Sequence, residues 1–214
     1  MFGFLICYAL LMERKYVIGI DEVGRGPLAG PMMVGAVAMS GDMGFLGGIK
    51  DSKKLTKLQR EKWSKKIWDM KETLPKADQP GTGNINIAIV SVSNGTIDKY
   101  GISASLRLAV GKCLKILVKP GDEHEIMLDG SLYAPPEYKN QQTIIKGDEK
   151  FPIISAASVV AKVYRDNMMK KLHEKYPEYG FDKHKGYGTA SHIAAIKKHG
   201  LSPLHRRSFC RRLI

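Results

Sequence analysis

One stretch near the start of the chain, residues 17–31, most constrains how the chain can fold. Its apolar, β-branched run Val17–Ile20 ends at the adjacent carboxylates Asp21 and Glu22, and a loop rich in glycine and proline follows at once. Such a run is typical of a buried strand that emerges into a functional loop. Because neighbouring side chains of a strand point to opposite faces, both acids can reach one site only if the strand ends there and the backbone turns. Taken alone, an Asp-Glu pair is more typical of a charged strand end and an ordinary turn.

An excess of positive charge restricts the class of partner. The chain of 214 residues has 34 lysines and arginines against 21 aspartates and glutamates, a net charge of +13. A protein this basic attracts polyanions, and nucleic acid is the commonest of them. Its length and its hydrophobic content of 43% indicate a globular chain with one substantial core. The widely spaced Cys7, Cys113 and Cys210 fit neither a metal site nor a disulfide framework, so we expect a reducing, cytoplasmic compartment.

The first residues form an apolar segment, Met1–Met12, whose role is open. The segment is too short to span a bilayer, and no basic residue precedes it as in a signal peptide. We expect translation to begin at Met12, which would place residues 1–11 outside the native chain. Residues 1–15 as a whole form an N-terminal extension ahead of the first predicted strand. A membrane anchor formed by this segment is the competing idea, which cell fractionation would test.

Hydrophobic periodicity predicts alternating strands and helices along the rest of the chain. The predicted strands after the first cover residues 32–39, 85–91, 125–129 and 142–145. The predicted helices cover residues 56–70, 93–118 (as one helix or two), 153–173 and 191–199. Loops are predicted at residues 74–83 and 176–189, and a basic tail from 206 to 212. The second strand is expected to be antiparallel to the first, because the connection is too short for a helical crossover.

Acids recur beside glycines at three predicted strand ends. They are Asp21 with Glu22, Asp129 before Gly130, and Asp148 after Gly147. If these strands end on one edge of a sheet, the site has only carboxylate ligands, which suit Mg²⁺ or Mn²⁺. Two such ions can neutralise a phosphodiester, activate a water molecule and stabilise the leaving oxygen. Singly, Asp129 and Asp148 are more typical of turn residues, and their spacing does not establish that they meet.

Ordered motifs over residues 16–209 resemble the bacterial ribonuclease HII family. These motifs are Ile20–Pro31, Asp51–Leu55, Leu128–Gly130, Lys146–Asp148, Ser155–Ser158, His184–Thr189 and His205–Phe209. The resemblance implies an α/β fold of the ribonuclease H-like type, a mixed β-sheet flanked by helices with a C-terminal helical portion. It also implies a catalytic core at residues 16–175. Residues 176–214 would then form a loop and helical portion of the same domain, bounding the substrate groove.

The same resemblance assigns roles to individual residues. The family's catalytic, metal-binding acids correspond to Asp21, Glu22, Asp129 and Asp148. Two nearby acids are excluded: Glu149, which follows Asp148, and Asp166, which we expect to have a structural role in its helix, as part of a salt bridge or as a cap. Phosphate contacts are expected from Lys53, Lys146 and Lys185, with Lys54 and Lys162 as further candidates. Each of these lysines, taken alone, is more typical of a solvated surface.

Recognition of the ribonucleotide is assigned to two further elements. The loop Gly24-Arg25-Gly26 resembles the part that senses a 2′-hydroxyl, since freed backbone groups can bond a hydroxyl and Arg25 can bind the adjacent phosphate. Tyr187 matches the family's sugar-stacking tyrosine, although a tyrosine between glycines is otherwise more typical of a packed loop. His184 fits a structural or phosphate-binding role rather than a catalytic one.

The activity implied is that of an endonuclease with Mg²⁺ or Mn²⁺ as cofactor. It would hydrolyse the RNA strand of RNA–DNA hybrids and cut 5′ to ribonucleotides embedded in duplex DNA by two-metal-ion catalysis. The products would carry 3′-hydroxyl and 5′-phosphate ends. We expect a monomer that does not associate with membranes. A non-catalytic nucleic-acid-binding domain is one alternative; ribonuclease HIII, which usually has an additional N-terminal domain, is another.

Overall fold

The computed structural model describes residues 15–41, 43–73 and 85–213. Their strands are β1 (Lys15–Val23), β2 (Met32–Met39), β3 (Ile85–Val92), β4 (Glu123–Asp129) and β5 (Gln141–Ile144). They form one mixed sheet in the order β3-β2-β1-β4-β5. β2 is antiparallel to both β1 and β3, whereas β4 is parallel to both β1 and β5. The antiparallel pairing predicted for the first two strands is therefore confirmed.

Helices follow the strands and cover both faces of the sheet. They are α1 (Lys57–Thr73), α2 (Asn94–Leu117), α3 (Gly147–Lys150), α4 (Pro152–Lys175), α5 (Phe181–His184), α6 (Ala190–His199) and α7 (Arg207–Cys210). Short 3₁₀ turns occur at Gly44–Leu46 and Pro177–Tyr179. The predicted loop at residues 176–189 thus contains α5 and a 3₁₀ turn, which are too short to produce a helical period in the sequence.

Local hydrogen bonds explain where the long helices begin. Thr56 accepts a bond from the Gln59 amide at 3.3 Å, and the Gln59 side chain accepts one from the Thr56 amide at 2.8 Å. This capping box starts α1 at the predicted position. Ser93 caps α2 by accepting from the Thr96 amide. Gly101, at φ 76°, interrupts α2 after its second turn, so the predicted choice between one helix and two is answered by a kinked helix.

The two faces of the sheet carry separate apolar clusters. On one face, α2 packs Leu106 and its apolar neighbours against Ile18 and Val34. On the other face, α1 and α4 pack Ile67 and Ile153 among the side chains of the opposite strand faces. Helix α1 and helix α2 therefore lie on opposite sides of the sheet.

Small residues let α4 lie unusually close to the central strands. A Cβ atom added to Gly35 of β2 would lie 2.8 Å from the Cβ of Ala161, and one added to Gly19 of β1 would lie 2.3 Å from the Ile153 carbonyl oxygen. Such distances leave no space for a side chain. This close packing fixes the start of α4, and with it the short helix α3 that precedes it, against the sheet.

A third cluster connects the loop after β1 to the C-terminal helices. Ala29 packs with Met169, Phe181 and Ile196. The Gly30 amide donates a hydrogen bond to the Leu204 carbonyl at 2.9 Å. The opening loop is therefore covered by residues from the end of the chain.

Some predictions concern residues beyond the described ones. The proposed start at Met12, Cys7 and the predicted loop at 74–83 all lie outside the described residues. Cys113 and Cys210 are buried and free. In the described ranges, no helix combines the length and apolar character needed to cross a bilayer.

Candidate active site

Three carboxylates converge at one edge of the sheet. Asp21, Asp129 and Asp148 each offer an oxygen within 4.8 Å of the others. Ile20 and Leu128 are paired in the parallel β1–β4 ladder, so the residues that follow them, Asp21 and Asp129, lie side by side. The sequence pattern alone did not establish that these side chains lie together. The register of β1 and β4 explains why Asp21 and Asp129 do.

Two details of this edge differ from the sequence prediction. The expectation that the first strand ends at the acids is wrong, because β1 remains paired with β2 through Val23. Asp148 does not end a strand either, since it lies in α3, four residues after β5 ends at Ile144. Backbone amides hold this turn against β4: Asp129 Oδ1 accepts from the amides of Gly147 at 2.7 Å and Asp148 at 3.3 Å.

Glu22 is adjacent to this group but is not one of the three that meet. Its Oε1 accepts a hydrogen bond from Arg25 Nη1 at 3.1 Å, and the same nitrogen donates to Ser131 Oγ at 3.1 Å. Its Oε2 is buried and has no hydrogen-bond partner within the described part of the chain. A buried carboxylate oxygen of this kind is costly unless something binds it.

Burial and mutual repulsion raise the pKa values of Asp21, Glu22 and Asp129. Burial, followed by the charge of Glu22, holds the pKa of Asp21 well above its usual range. Burial also raises the pKa of Glu22, although Arg25 opposes this. Burial and then the charge of Asp148 raise the pKa of Asp129. A bound divalent cation would remove this repulsion, and the all-oxygen set with its unpaired Glu22 oxygen fits Mg²⁺ or Mn²⁺.

The loop after residue 50 places one lysine at the acids. Lys53 Nζ donates to Asp148 Oδ2 at 3.0 Å. Partial burial acts to lower the pKa of Lys53, but the hydrogen bond and charge of Asp148 outweigh it and raise that pKa. Asp51 accepts from the Lys53 amide at 2.9 Å and so shapes the loop. Glu149 points to Lys54 at 2.7 Å and belongs to a peripheral ion pair.

Arg206, assigned by sequence to a basic tail, is fully buried beneath the Gly24-Arg25-Gly26 loop. Its guanidinium donates to the carbonyl oxygens of Gly24 and Arg25, both at 2.7 Å, and to that of Gly30 at 2.9 and 3.1 Å. Burial, and then the charge of Arg165, lower its pKa to about 10. Because these carbonyls are turned inward to the guanidinium, the loop is held from below.

A second buried arginine, Arg165 of α4, supports the same loop. Its Nε donates to the Pro31 carbonyl at 2.9 Å and its Nη2 to the Lys185 carbonyl at 3.0 Å. A Cβ atom on Gly24, whose φ is +87°, would lie 2.3 Å from Arg165 Nε. Both the conformation and the lack of space therefore require glycine at position 24.

Sequence reasoning missed Arg165 as a site residue. Its signal is the spacing Ala157, Ala161, Arg165, which places the arginine on the stripe of α4 that packs against the sheet. An arginine in an otherwise small and apolar stripe indicates a buried guanidinium with backbone acceptors.

Tyr187 lies beside the same loop. Its side chain is 40% exposed. A Cβ atom on Gly26 would lie 3.9 Å from the Tyr187 ring, and the Arg165 guanidinium carbon lies 5.9 Å from the ring centroid. The two elements assigned to recognition are therefore neighbours in the structure, although 160 residues separate them in the sequence.

A chain of buried histidines holds the backbone of Tyr187. The Ser202 amide donates to His205 Nδ1 at 2.9 Å, so the proton of a neutral His205 is on Nε2. That nitrogen lies 3.1 Å from His192 Nε2, and His192 Nδ1 donates to the Tyr187 carbonyl at 2.9 Å. Each ring must be neutral for this order of donors and acceptors. Burial lowers the pKa of His192 to about 4 and also lowers that of His205.

Lys185 and Lys146 have different surroundings from Lys53. Lys185 Nζ donates to the Asp182 carbonyl and lines a cavity of about 430 Å³ with Lys162 and Asp166. Asp166 accepts from Lys162 at 2.8 Å, the structural ion pair that the sequence predicted. Lys146 Nζ lies 3.8 Å from a Glu149 oxygen. Phosphate contacts by Lys146 and Lys185 stay predictions.

His184 donates to the Tyr179 carbonyl and accepts from the Gly186 amide, a structural role.

Comparison with known proteins identifies the family. The family model described as Ribonuclease HII matches residues 18–212. Ribonuclease HII of Acetivibrio thermocellus is 42% identical over 204 residues, 94% of this chain and 72% of that protein. Ribonuclease HII of Fusobacterium nucleatum is 41% identical over 210 residues, 97% of this chain and 91% of that protein.

A solved structure agrees with this assignment. The crystal structure of ribonuclease H2 from Pyrococcus horikoshii superposes with a TM-score of 0.67 at 28% identity, covering 92% of this chain and 96% of that one. The mixed sheet flanked by helices is therefore a ribonuclease H-like fold, as predicted. The chain belongs to the ribonuclease HII family and is a nuclease hydrolase of the ribonuclease H type.

Proposed function

We propose that this ribonuclease cuts the RNA strand of RNA–DNA hybrids and cuts duplex DNA on the 5′ side of an embedded ribonucleotide. The observation that carries the proposal is the proximity of two unlike elements. Asp21, one of the three converging acids, and the adjacent Glu22 come directly before the Gly24-Arg25-Gly26 loop, which lies beside Tyr187. A 2′-hydroxyl lies within one nucleotide of the phosphate to be cut, so recognition and cleavage need sites this close.

Asp21, Glu22, Asp129 and Asp148 are proposed to hold divalent metal, with two ions as the working hypothesis. When bound, Mg²⁺ or Mn²⁺ would supply charge stabilisation and a water molecule of lowered pKa. The buried Glu22 Oε2 without a partner and the raised pKa values of the acids support this proposal. Because the three converging oxygens come from two strands and a helix, their spacing is set by the sheet rather than by a flexible loop.

The other residues bind and orient the substrate. The inward-turned carbonyls of the loop leave its glycine amides and Arg25 available to a ribose hydroxyl and a phosphate. The half-exposed ring of Tyr187 presents an apolar face against which a deoxyribose can pack. Lys53, whose side chain is 78% exposed, can exchange Asp148 for a phosphate oxygen at little cost.

The decisive experiment is cleavage of a duplex that contains one ribonucleotide and is labelled at both ends of that strand. We expect a single cut 5′ to the ribonucleotide in Mg²⁺ or Mn²⁺, none in EDTA, and ends that a DNA polymerase can extend from the 3′-hydroxyl. A cut on the 3′ side, or the same products from an all-DNA duplex, would contradict the proposal. Gel filtration in the same buffer tests the predicted monomer.

A further inference from the structure

We infer that a basic groove beside the acids, between α2 and the segment after β4, binds the backbone of duplex nucleic acid beyond the cleavage site. The inference rests on the proposed function, because it concerns the same duplex substrate where it continues along the protein surface. Two neighbouring depressions form the groove, of about 250 and 480 Å³, and Arg107 lines both. We call this surface the α2 groove; its basic residues are Arg107, Lys112 and Lys115.

The α2 groove begins at the proposed site. Arg25 and Ser131 line its nearer part. The Arg25 guanidinium bonds both Ser131 and Glu22, as described above. Ser131 follows Asp129 by two residues. A duplex with a phosphate at the acids therefore passes the mouth of this groove if it continues in that direction.

The lining residues of α2 extend along one face of the helix over a distance of several base pairs. Ser103, Arg107, Gly111 and Lys115 recur every four residues and share one face of the helix. From Arg107 to Lys115 the helix rises about 12 Å. With base pairs spaced about 3.4 Å apart along a duplex, this distance covers three to four base pairs.

Charge and surface chemistry also favour nucleic acid. Arg107, Lys112 and Lys115 are exposed, and no described carboxylate lies within 4.0 Å of their charged atoms. The floor between them is apolar, with Leu108 55% exposed and Pro135 in contact range of Gly111. In such a groove the cations can contact phosphates, and the apolar floor can contact the sugars between them. Glu137 lines the far part of the α2 groove, so the row of basic residues ends there.

Substrate length provides the test. A ribonucleotide is placed in duplexes with a short arm on both sides, a long arm on the 5′ side, or a long arm on the 3′ side. We expect the triple variant Arg107→Gln, Lys112→Gln, Lys115→Gln to raise KM about tenfold for one long-armed duplex only, because exposed cations contribute mainly through phosphate charge. Its kcat, and its KM on the short duplex, should equal those of the unmodified protein.

Binding without cleavage separates this inference from the proposed function. In EDTA, the slope of log Kd against log salt for a long DNA duplex should fall by about two to three in the triple variant. The matched control is Lys62→Gln, Lys65→Gln, Lys71→Gln on α1, across the sheet, which should leave the slope nearly unchanged. Failure of the unmodified protein to cleave would refute the proposed function but leave this comparison intact.

Two results would overturn the inference. One is an equal salt slope and equal KM in the triple variant and the unmodified protein, with both folded by circular dichroism. The other is unchanged duplex affinity together with loss of a concentration-dependent dimer, which would assign the groove to a second copy of the chain. Because all three substituted side chains are exposed, misfolding of the variant is not expected.

Discussion

The acidic edge and the loop beside it are built on opposite principles. At the acidic edge, like charges are gathered, the pKa values of Asp21 and Asp129 are raised, and a buried Glu22 oxygen has no partner among the described residues. In the loop from Gly24 to Pro31, buried guanidinium groups meet backbone carbonyls at 2.7 to 3.1 Å. The first region keeps an unpaired carboxylate oxygen, as a cation site needs. In the second, Arg206 bonds carbonyl oxygens through all three of its nitrogens and braces the loop, while Arg165 Nη1 has no partner among the described residues.

The largest expected effect comes from removing one acid. Asp129→Asn should lower the cleavage rate on the order of 10³-fold in Mg²⁺, because several kcal/mol of charge stabilisation depend on the ligand set. The same change should raise the melting temperature of the metal-free protein, since it removes a repelling charge whose pKa is raised. Both are measured by single-turnover cleavage and thermal unfolding in EDTA.

The matched control for that variant is Asp166→Asn, which breaks the ion pair with Lys162 on α4. We expect near-normal cleavage from it. Near-normal cleavage by Asp129→Asn would refute the metal-site assignment. A metal-free protein destabilised by that variant would show that the acidic edge carries no net repulsion.

The next effect concerns the loop that Arg206 braces. Arg206→Met should lower the free energy of unfolding by about 3 kcal/mol, because the carbonyls of Gly24, Arg25 and Gly30 lose their buried donors. Chemical denaturation measures the loss. Arg207→Met removes an exposed neighbour and should cost little. Equal stability of the two variants would show that Arg206 does not brace the loop.

Acid should weaken the histidine chain behind Tyr187. The pKa of His192 falls from about 6.5 in the unfolded chain to about 4 in the folded protein, so its contribution is present above pH 6.5 and is lost as pH falls toward 4. The loss from His192 amounts to up to roughly 3 kcal/mol at pH 4.

A comparison of variants isolates this effect. Unfolding free energies measured between pH 4 and pH 7 should depend less steeply on pH in His192→Gln than in the unmodified protein. The same slope in both proteins would mean that His192 is not held neutral in the fold.

The smallest expected effect is on discrimination. Tyr187→Ala should reduce the preference for a single embedded ribonucleotide over a uniform hybrid by about tenfold, since stacking on one aromatic ring is worth about 1–3 kcal/mol. Competition between the two substrates in one reaction measures the ratio. Tyr187→Phe keeps the ring and should keep the preference. A preference that survives Tyr187→Ala would place junction recognition elsewhere.

Sequence patterns predicted the sheet because its strands show the patterns typical of strands: a continuous apolar run in β2 and alternation with a period of two residues in β3. They also indicated the three acids that converge, since each acid follows an apolar strand beside glycine. They did not reveal Arg165, Arg206 or the His192–His205 pair as supports of the site. These groups bind backbone carbonyls and one another across up to 182 positions, and such pairing leaves no periodic pattern in a single sequence.

The position of Arg206 near the end of the chain has a consequence for biosynthesis. Residues 15 to 150 contain β1 to β5 and the four acids Asp21, Glu22, Asp129 and Asp148. The acidic edge therefore has its parts when about two thirds of the chain has been made. The carbonyls of Gly24 and Arg25 find their donors only when residue 206 has left the ribosome. A nascent or prematurely stopped chain would thus carry the acids without the guanidinium that braces the Gly24-Arg25-Gly26 loop.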